Sequence, residues 1–259
     1  MFYQLEITTR CNFSCYYCAG RSMPQQDMSW DTFLLIVDRI PGRGSTVSLQ
    51  GEGEPSLHPK FEAMAEHVAK RGHRPYTILN ASRINPARLS QLFPTMSISV
   101  DTLDEHFAKE IGRQNLPKVL RNLELLCQAM HPNRITIMTV NMGQPLGELR
   151  RWVYLRGFGQ HIVQQLSPKS DYARRYTVNS QLIQPSGPST CRYLQRQLMR
   201  FYTWEGTELP CCFMKNSLDF TSREELSARL AKGLPSSCCE GCPQLVTAKK
   251  PACMPPGSC

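Results

Sequence analysis

In the stretch "TTRCNFSCYYCAGR", Cys11, Cys15 and Cys18 stand as C-x3-C-x2-C, directly after a short apolar run with strand character. Thiolates bind soft metals, and the number available decides which. A closed structural zinc site takes four protein ligands, yet no further Cys or His follows within thirty residues. Three thiolates suit an iron–sulfur cluster whose fourth iron accepts a ligand from outside the protein. A zinc site completed by a distant Cys, or half of a disulfide framework, would use the same residues.

A second stretch, "SLQGEGEPSLHP", holds Gly51, Gly53, Glu54 and Pro55. It lacks the third glycine of a dinucleotide fingerprint, and Pro55 interrupts the helix start that would cradle a pyrophosphate. What it offers is a backbone that a ligand can approach closely, with one carboxylate beside it. His58, just beyond, reads as structural. A second group of thiols lies late in the chain: of the twelve cysteines, eight follow position 190. Cys191, Gly206 and Cys211 form C-x14-G-x4-C, and Cys239 and Cys242 form C-x2-C. Four such cysteines bind zinc as readily as iron and sulfur. Cys127, inside the amphipathic run "LELLCQAM", reads as a core residue.

The elements that must position these groups follow from periodicity. Apolar runs "YQLEIT", "TVSLQ", "PYTILN", "SISVD", "RITIMTV" and "HIVQQL" read as strands. They alternate with the amphipathic stretches "WDTFLLIVDRI", "FEAMAEHVAKRG", "PARLSQLF", "LPKVLRNLELLCQAM" and "LGELRRWVYLRG". The result is an α/β chain of six β/α units, which periodicity alone would accommodate in a doubly wound sheet. In parallel α/β architectures chemistry sits at the C-terminal ends of strands, where the cysteine triplet and the glycine motif both fall. The alternation stops after "QQLSPKSDYARRY", and "NSQLIQPSGPST" reads as a connector. Two domains are expected, residues 1–180 and a cysteine-rich module over 181–259.

Together, the cysteine triplet and the G-E-G-E-P stretch resemble the signature of the radical S-adenosylmethionine (SAM) superfamily. The resemblance implies a partial (β/α)6 TIM-like barrel and a [4Fe–4S] cluster held by Cys11, Cys15 and Cys18, with SAM on the open iron. It assigns the SAM amino group to Glu54, helped by the backbone of Gly53. Asn80 in "TILNAS" matches a position where relatives often carry T-N-G. Ser99 and Asp101 in "SISVDT" match an S-x-D sequence, which makes Ser99 a candidate for the ribose hydroxyls and Asp101 a carboxylate facing the site. Tyr17 matches the aromatic position beside the adenine, and Arg113 in "EIGRQN" is the candidate partner of the SAM carboxylate, since a guanidinium grips a carboxylate bidentately.

The late cysteines resemble the twitch module, the shorter relative of the SPASM domain, in which Cys191, Cys211, Cys239 and Cys242 would ligate one auxiliary [4Fe–4S] cluster. Cys212 and Cys238 double two of those positions, so either member of each pair could serve. Cys253 and Cys259 depart from the full SPASM spacing, and no second auxiliary cluster is expected.

The family's chemistry is reductive cleavage of SAM to a 5′-deoxyadenosyl radical that takes hydrogen from an unactivated C–H bond. The plan is similar to the twitch-type dehydrogenase of butirosin biosynthesis, which implies oxidation of a small carbohydrate-like natural-product intermediate. It also implies a flavodoxin- or ferredoxin-type electron donor. Epimerisation, with Cys212 or Cys238 returning a hydrogen atom, and cross-linking of a peptide are the alternatives. The first strand begins at residue 2, which leans away from a fused leader-peptide-recognition domain.

Composition sets outer bounds. The N-terminus has no basic leader with an apolar run, and no stretch approaches the ~18 apolar residues of a membrane span, so a cytoplasmic location is expected. In a reducing compartment, twelve cysteines point to metal or redox chemistry more than to disulfides. The net charge of +9 is scattered and reads as an ordinary basic surface. A non-catalytic RNA-binding cluster or zinc protein would need a clustered basic face with aromatics. Only "RYLQRQLMRFYTW" resembles one, and its spacing fits a helix and strand equally well.

Overall fold

A computed structural model describes residues 1–167, 187–196, 199–214, 220–237 and 239–247. The chain forms two compact units, Met1–Leu166 with Met199–Cys212, and Ser167–Leu198 with Phe213–Cys259.

The first unit carries the β/α alternation. Its strands are β1 (Phe2–Leu5), β2 (Thr46–Leu49), β3 (Arg74–Tyr76), β4 (Ile78–Leu79), β5 (Met96–Ser99), β6 (Ile135–Asn141) and β7 (Gln160–Gln165). Two sheets result, ordered β10-β9-β1-β2-β3 and β4-β5-β6-β7, with β9 at Met199–Tyr202 and β10 at Glu208–Leu209. The strand run "PYTILN" is thus split between the sheets at Thr77, whose carbonyl accepts from Ser97 N–H at 3.0 Å. Its hydroxyl donates to the Leu49 carbonyl at 2.9 Å. One run of chain therefore belongs to both sheets, and six β/α strands follow one parallel curve, a partial TIM-like barrel. On the outer side of β1, β9 pairs in parallel, with Phe2 opposite Met199 and Gln4 opposite Phe201.

Helices α1 (Trp30–Val37), α2 (Phe61–Lys70), α3 (Pro86–Leu92), α5 (Leu116–Ala129) and α6 (Gly147–Leu155) match the amphipathic runs. Local chemistry starts them. Ser29 accepts from Thr32 N–H at 3.0 Å, and Asn85 and Asn115 cap α3 and α5 ahead of Pro86 and Pro117. A short α4 (Glu105–Glu110), capped by Asp104, escaped the periodicity because six residues span less than two turns.

Strand alternation separates two environments. Leu5, Val47, Leu49, Ile98 and Ile137 join Phe33, Val37, Met64, Val68, Leu123 and Leu126 of the helices in one buried cluster. Burying such a side chain stabilises the fold by roughly 1.5–3 kcal/mol. The opposite face of the same strands carries Gln4, Ser48, Tyr76 and Ser97, so the barrel interior is polar.

In the second unit, β8 (Ser189–Cys191) pairs antiparallel with β11 (Leu245–Thr247), placing Cys191 opposite Leu245. A helical turn α7 (Arg192–Gln195) follows β8, and α8 (Arg223–Ala231) buries Leu226 and Leu230. No helix among the described residues is long and apolar enough to cross a membrane.

Candidate functional site

The loop after β1 carries the three thiols. Cys18 N–H donates to the Cys15 carbonyl at 3.1 Å, closing a turn between them. Phe13 N–H donates to Cys11 Sγ at 3.4 Å, and Cys18 Sγ lies 3.7 Å from the Glu52 carbonyl oxygen. Two backbone bonds tie the loop to the segment after α4: Ser14 N–H to the Gly112 carbonyl at 3.0 Å and Tyr16 N–H to the Ile111 carbonyl at 3.3 Å. Gly112 has φ +87°, and a Cβ there would stand 2.3 Å from the Ser14 carbonyl oxygen, so only glycine fits.

Cys11 and Cys18 are ill suited to exist as bare thiolates. Burial, then the charges of Glu54 and Cys15, push Cys11 up to about 11 despite the Phe13 N–H. Cys18 is pushed higher still, by burial first and then by Glu52. A positively charged iron centre is what would make the thiolate the favoured form here. Among the described residues no three Cys, His, Asp or Glu side chains stand close enough to share a single metal ion. A cubane asks for something wider, since each of its thiolates binds a different iron. The donor set fits such a cluster.

The G-E-G-E-P stretch docks directly on this loop. A Cβ at Gly53 would come within 2.5 Å of the Thr8 carbonyl oxygen and 2.7 Å of that of Arg10. Glu54 N–H donates to the Arg10 carbonyl at 2.8 Å. The Glu54 side chain is 3% exposed. Its Oε1 accepts from Ser56 N–H at 3.2 Å and from the Ser56 hydroxyl at 2.5 Å, and its Oε2 accepts from Asn80 N–H at 2.6 Å. Burial outweighs these donors and holds its pKa above the ordinary carboxylate range.

Asn80 links two loops. Its Nδ2 donates to Asn12 Oδ1 at 3.1 Å, and its Oδ1 accepts from Ser82 N–H at 2.9 Å. Asn12 in turn donates to the Ser82 hydroxyl at 2.8 Å.

At the end of β5 lies a buried knot. Asp101 Oδ1 accepts from Val140 N–H at 2.8 Å, and Oδ2 accepts from the Tyr17 hydroxyl and stands 2.6 Å from Arg113 Nε. Arg113 Nη1 donates to the Ser99 carbonyl at 2.8 Å, and Nε and Nη2 each reach the Tyr17 hydroxyl at 3.1 Å. Burial works against the Arg113 charge, but Asp101 more than offsets it, so the guanidinium stays protonated. Burial also drives the Tyr17 hydroxyl well above its usual range. Gln144 Nε2 caps the knot by donating to the Asp101 carbonyl at 3.0 Å.

The Radical SAM superfamily pattern matches residues 5–153, more than half of the chain. The chain belongs to the radical SAM superfamily. SAM binding and iron–sulfur character come with that membership, and the cysteine loop and Glu54 stand inside the matched span. This radical SAM enzyme is similar to an S-adenosylmethionine-dependent nucleotide dehydratase of Selenomonas ruminantium, 28% identical over 177 residues, which are 59% of this chain and 64% of that one. The chain thus spans less than two thirds of that relative. Its fold is like that of BtrN in complex with AdoMet and 2-DOIA, with TM-score 0.52, 15% identity, and 93% and 92% of the two chains covered. It is also like Streptococcus suis SuiB bound to precursor peptide SuiA, with TM-score 0.62, 13% identity, and 92% and 70% covered.

The first unit therefore brings Cys11, Cys15, Cys18, Tyr17, Gly53, Glu54, Asn80, Ser99, Asp101 and Arg113 to one end of its strands. Sequence reasoning missed Asn12, Glu52, Ser82, Gly112 and Gln144, which hold that end together. Only Gly112, directly after a helix, left a readable signal. His58 has both ring nitrogens occupied: Nε2 donates to the Met28 carbonyl and Nδ1 accepts from Lys60 N–H, each at 3.0 Å.

Of the late cysteines, Cys211 and Cys212 follow β10 in the first unit, both partly buried. Cys191, Cys239 and Cys242 belong to the second. Cys242 N–H donates to the Cys239 carbonyl and Leu245 N–H to the Cys242 carbonyl, each at 3.1 Å. Cys238, Cys253 and Cys259 lie outside the described residues.

Proposed function

We propose that this radical SAM enzyme abstracts hydrogen from a small, hydroxyl-rich substrate of carbohydrate type and oxidises it, passing one electron to an auxiliary [4Fe–4S] cluster on Cys191, Cys211, Cys239 and Cys242. Oxidation needs an electron acceptor, so the observation that carries the reading is the second thiol set. The Cys239–Cys242 turn runs straight into β11, and β11 holds Leu245 opposite Cys191. Three thiols of one set thus share a single small frame.

The chain's own residues divide the work as follows. Cys11, Cys15 and Cys18 hold the catalytic cluster. When bound, that cluster supplies a low-potential electron that opens a carbon–sulfur bond of SAM and yields the abstracting radical. Glu54 takes the SAM ammonium on lone pairs its Ser56 and Asn80 donors leave free, since a carboxylate offers about four acceptor sites. Arg113 keeps N–H donors for the SAM carboxylate, while Asp101 and Tyr17 fix its plane. Asn80 and Ser99 would hold the ribose hydroxyls, and Tyr17 would supply the flat ring for the adenine. A flavodoxin- or ferredoxin-type protein delivers electrons, and a reducing cytoplasm suits such clusters.

A second reading, dehydration, is favoured by the similarity to a nucleotide dehydratase. There the substrate radical expels hydroxide, which leaves as water with a solvent proton, and one further electron from the reductant completes the product. Turnover in deuterium oxide separates these routes. A product about two mass units lighter supports oxidation and one about eighteen lighter supports dehydration. An isomer about one unit heavier marks an epimerase with Cys212 or Cys238 as donor, and would overturn both.

A further inference from the structure

Glu52, the second residue of the G-E-G-E-P stretch, stands against the last thiol of the cysteine loop. With its proton, Cys18 Sγ donates to Glu52 Oε2 at 3.6 Å. As an iron ligand the sulfur has no proton to give, and the same carboxylate oxygen then faces a negative sulfur. Three contacts hold the side chain in this place. Gly20 N–H donates to Glu52 Oε2 at 3.2 Å. A Cβ at Gly20 would stand 2.6 Å from Glu52 Cβ, so the turn after Cys18 lies flat on the glutamate. The backbone is fixed as well: Glu6, 1% exposed, accepts from Glu52 N–H at 3.0 Å, and a Cβ at Gly51 would stand 2.3 Å from Glu6 Cγ.

The surroundings of a cluster's sulfurs set its reduction potential. Amide donors to sulfur spread negative charge and raise the potential, whereas a nearby negative charge lowers it. The thiols of the loop differ in this respect. Cys11 Sγ receives the Phe13 N–H at 3.4 Å. At Cys18 the Gly20 amide is shared between the sulfur and Glu52 Oε2, so the carboxylate adds charge and dilutes a donor. Glu52 is only partly exposed, and water screens its charge incompletely.

We infer that Glu52 is an electrostatic tuning residue that lowers the reduction potential of the catalytic cluster through Cys18. The inference rests on that cluster being held by Cys11, Cys15 and Cys18, and not on the substrate, the auxiliary cluster or the oxidative reading. A lower potential makes the reduced cluster a stronger donor toward SAM, the one-electron step on which hydrogen abstraction depends. It also restricts the electron carrier to one of comparably low potential.

The test is a redox titration followed by electron paramagnetic resonance on the anaerobically reconstituted full chain, comparing wild type with Glu52→Gln and Glu52→Asp. The catalytic signal is the one that added SAM alters. Glu52→Gln keeps the shape and removes the charge, so its catalytic midpoint should rise by about 59 mV, tenfold in the one-electron equilibrium. Glu52→Asp keeps the charge one methylene further back and should rise less. Iron content should match wild type in both. The inference is overturned if Glu52→Gln leaves the midpoint unmoved or lowers it, or if Glu52→Asp raises it as far as Glu52→Gln does. Loss of the catalytic cluster from Glu52→Gln would overturn it too, since a role in holding the loop would then account for the contact. A wild type without any SAM-altered signal would remove it together with the assignment of the cluster.

Discussion

Arg113 Nε and Asp101 Oδ2 meet at 2.6 Å with side chains only 12% and 1% exposed, which makes them a buried ion pair joining the segment after α4 to the end of β5. Breaking such a pair from one side leaves a charge stranded, at a cost of about 3–5 kcal/mol. Asp101→Asn keeps the shape and removes the charge. Denaturant unfolding of the variant should show a loss of that size, and SAM affinity should fall with it. Since Asp101 already accepts from Val140, Tyr17 and Arg113, it is expected to act by positioning Arg113. A variant within 1 kcal/mol of wild type would remove that role.

Glu54 should make SAM binding depend on pH. Its folded pKa lies above that of an exposed carboxylate, so the folded state holds this proton more tightly than the unfolded chain does. The corresponding stability is present in acid and is lost as pH rises through the raised pKa. A SAM ammonium beside the carboxylate reverses that loss. The rise in melting temperature produced by SAM should therefore grow as pH rises from the ordinary carboxylate range and the raised carboxyl ionises. Glu54→Gln should flatten the dependence and weaken SAM binding by about 1.5–3 kcal/mol, with iron content unchanged.

Gly112 offers a test of how the cysteine loop is held. An alanine there carries both the cost of φ +87° and a Cβ 2.3 Å from the Ser14 carbonyl oxygen. Backbone cannot yield as a flexible side chain does, so the loop must shift. Gly112→Ala should retain far-ultraviolet circular dichroism close to wild type yet incorporate well under half the iron of the catalytic cluster. Full incorporation would show that the contact is dispensable.

Two clusters predict a countable stoichiometry. Anaerobic reconstitution should load about eight irons with matching sulfide, and Ala at Cys11, Cys15 and Cys18 together should remove about half. Substituting Cys239 or Cys242 should remove the other half and stop product formation while SAM cleavage partly survives. Stoichiometric zinc at the late cysteines would contradict the auxiliary cluster.

Much of this was written in local signals. The six strand runs and five helices were legible because alternation and amphipathic spacing hold over each, and Cys11, Cys15 and Cys18 because thiol spacing is itself the constraint. The buried knot was not. Tyr17, Asp101 and Arg113 were each visible alone, but nothing local says that Tyr17 and Asp101, 84 positions apart, meet. The split at Thr77 was hidden for a similar reason, since "PYTILN" has uniform strand character and only its neighbours change. Glu52 and Asn12 carry no pattern at all, because a single polar residue in a loop looks the same whether it faces water or a partner.

The parallel pairing of β9 with β1 sets an order of events during synthesis. Until residues 199–202 have left the ribosome, β1 exposes an open edge, and the strand leading into the cysteine loop has a neighbour on one side only. The first sheet therefore completes late, after every other strand of the β/α series exists, which is the costly kind of long-range closure. A cell that inserts the catalytic cluster into this chain does best to wait for that edge to close, so cluster delivery and the emergence of residues 199–202 are tied to each other by one short strand.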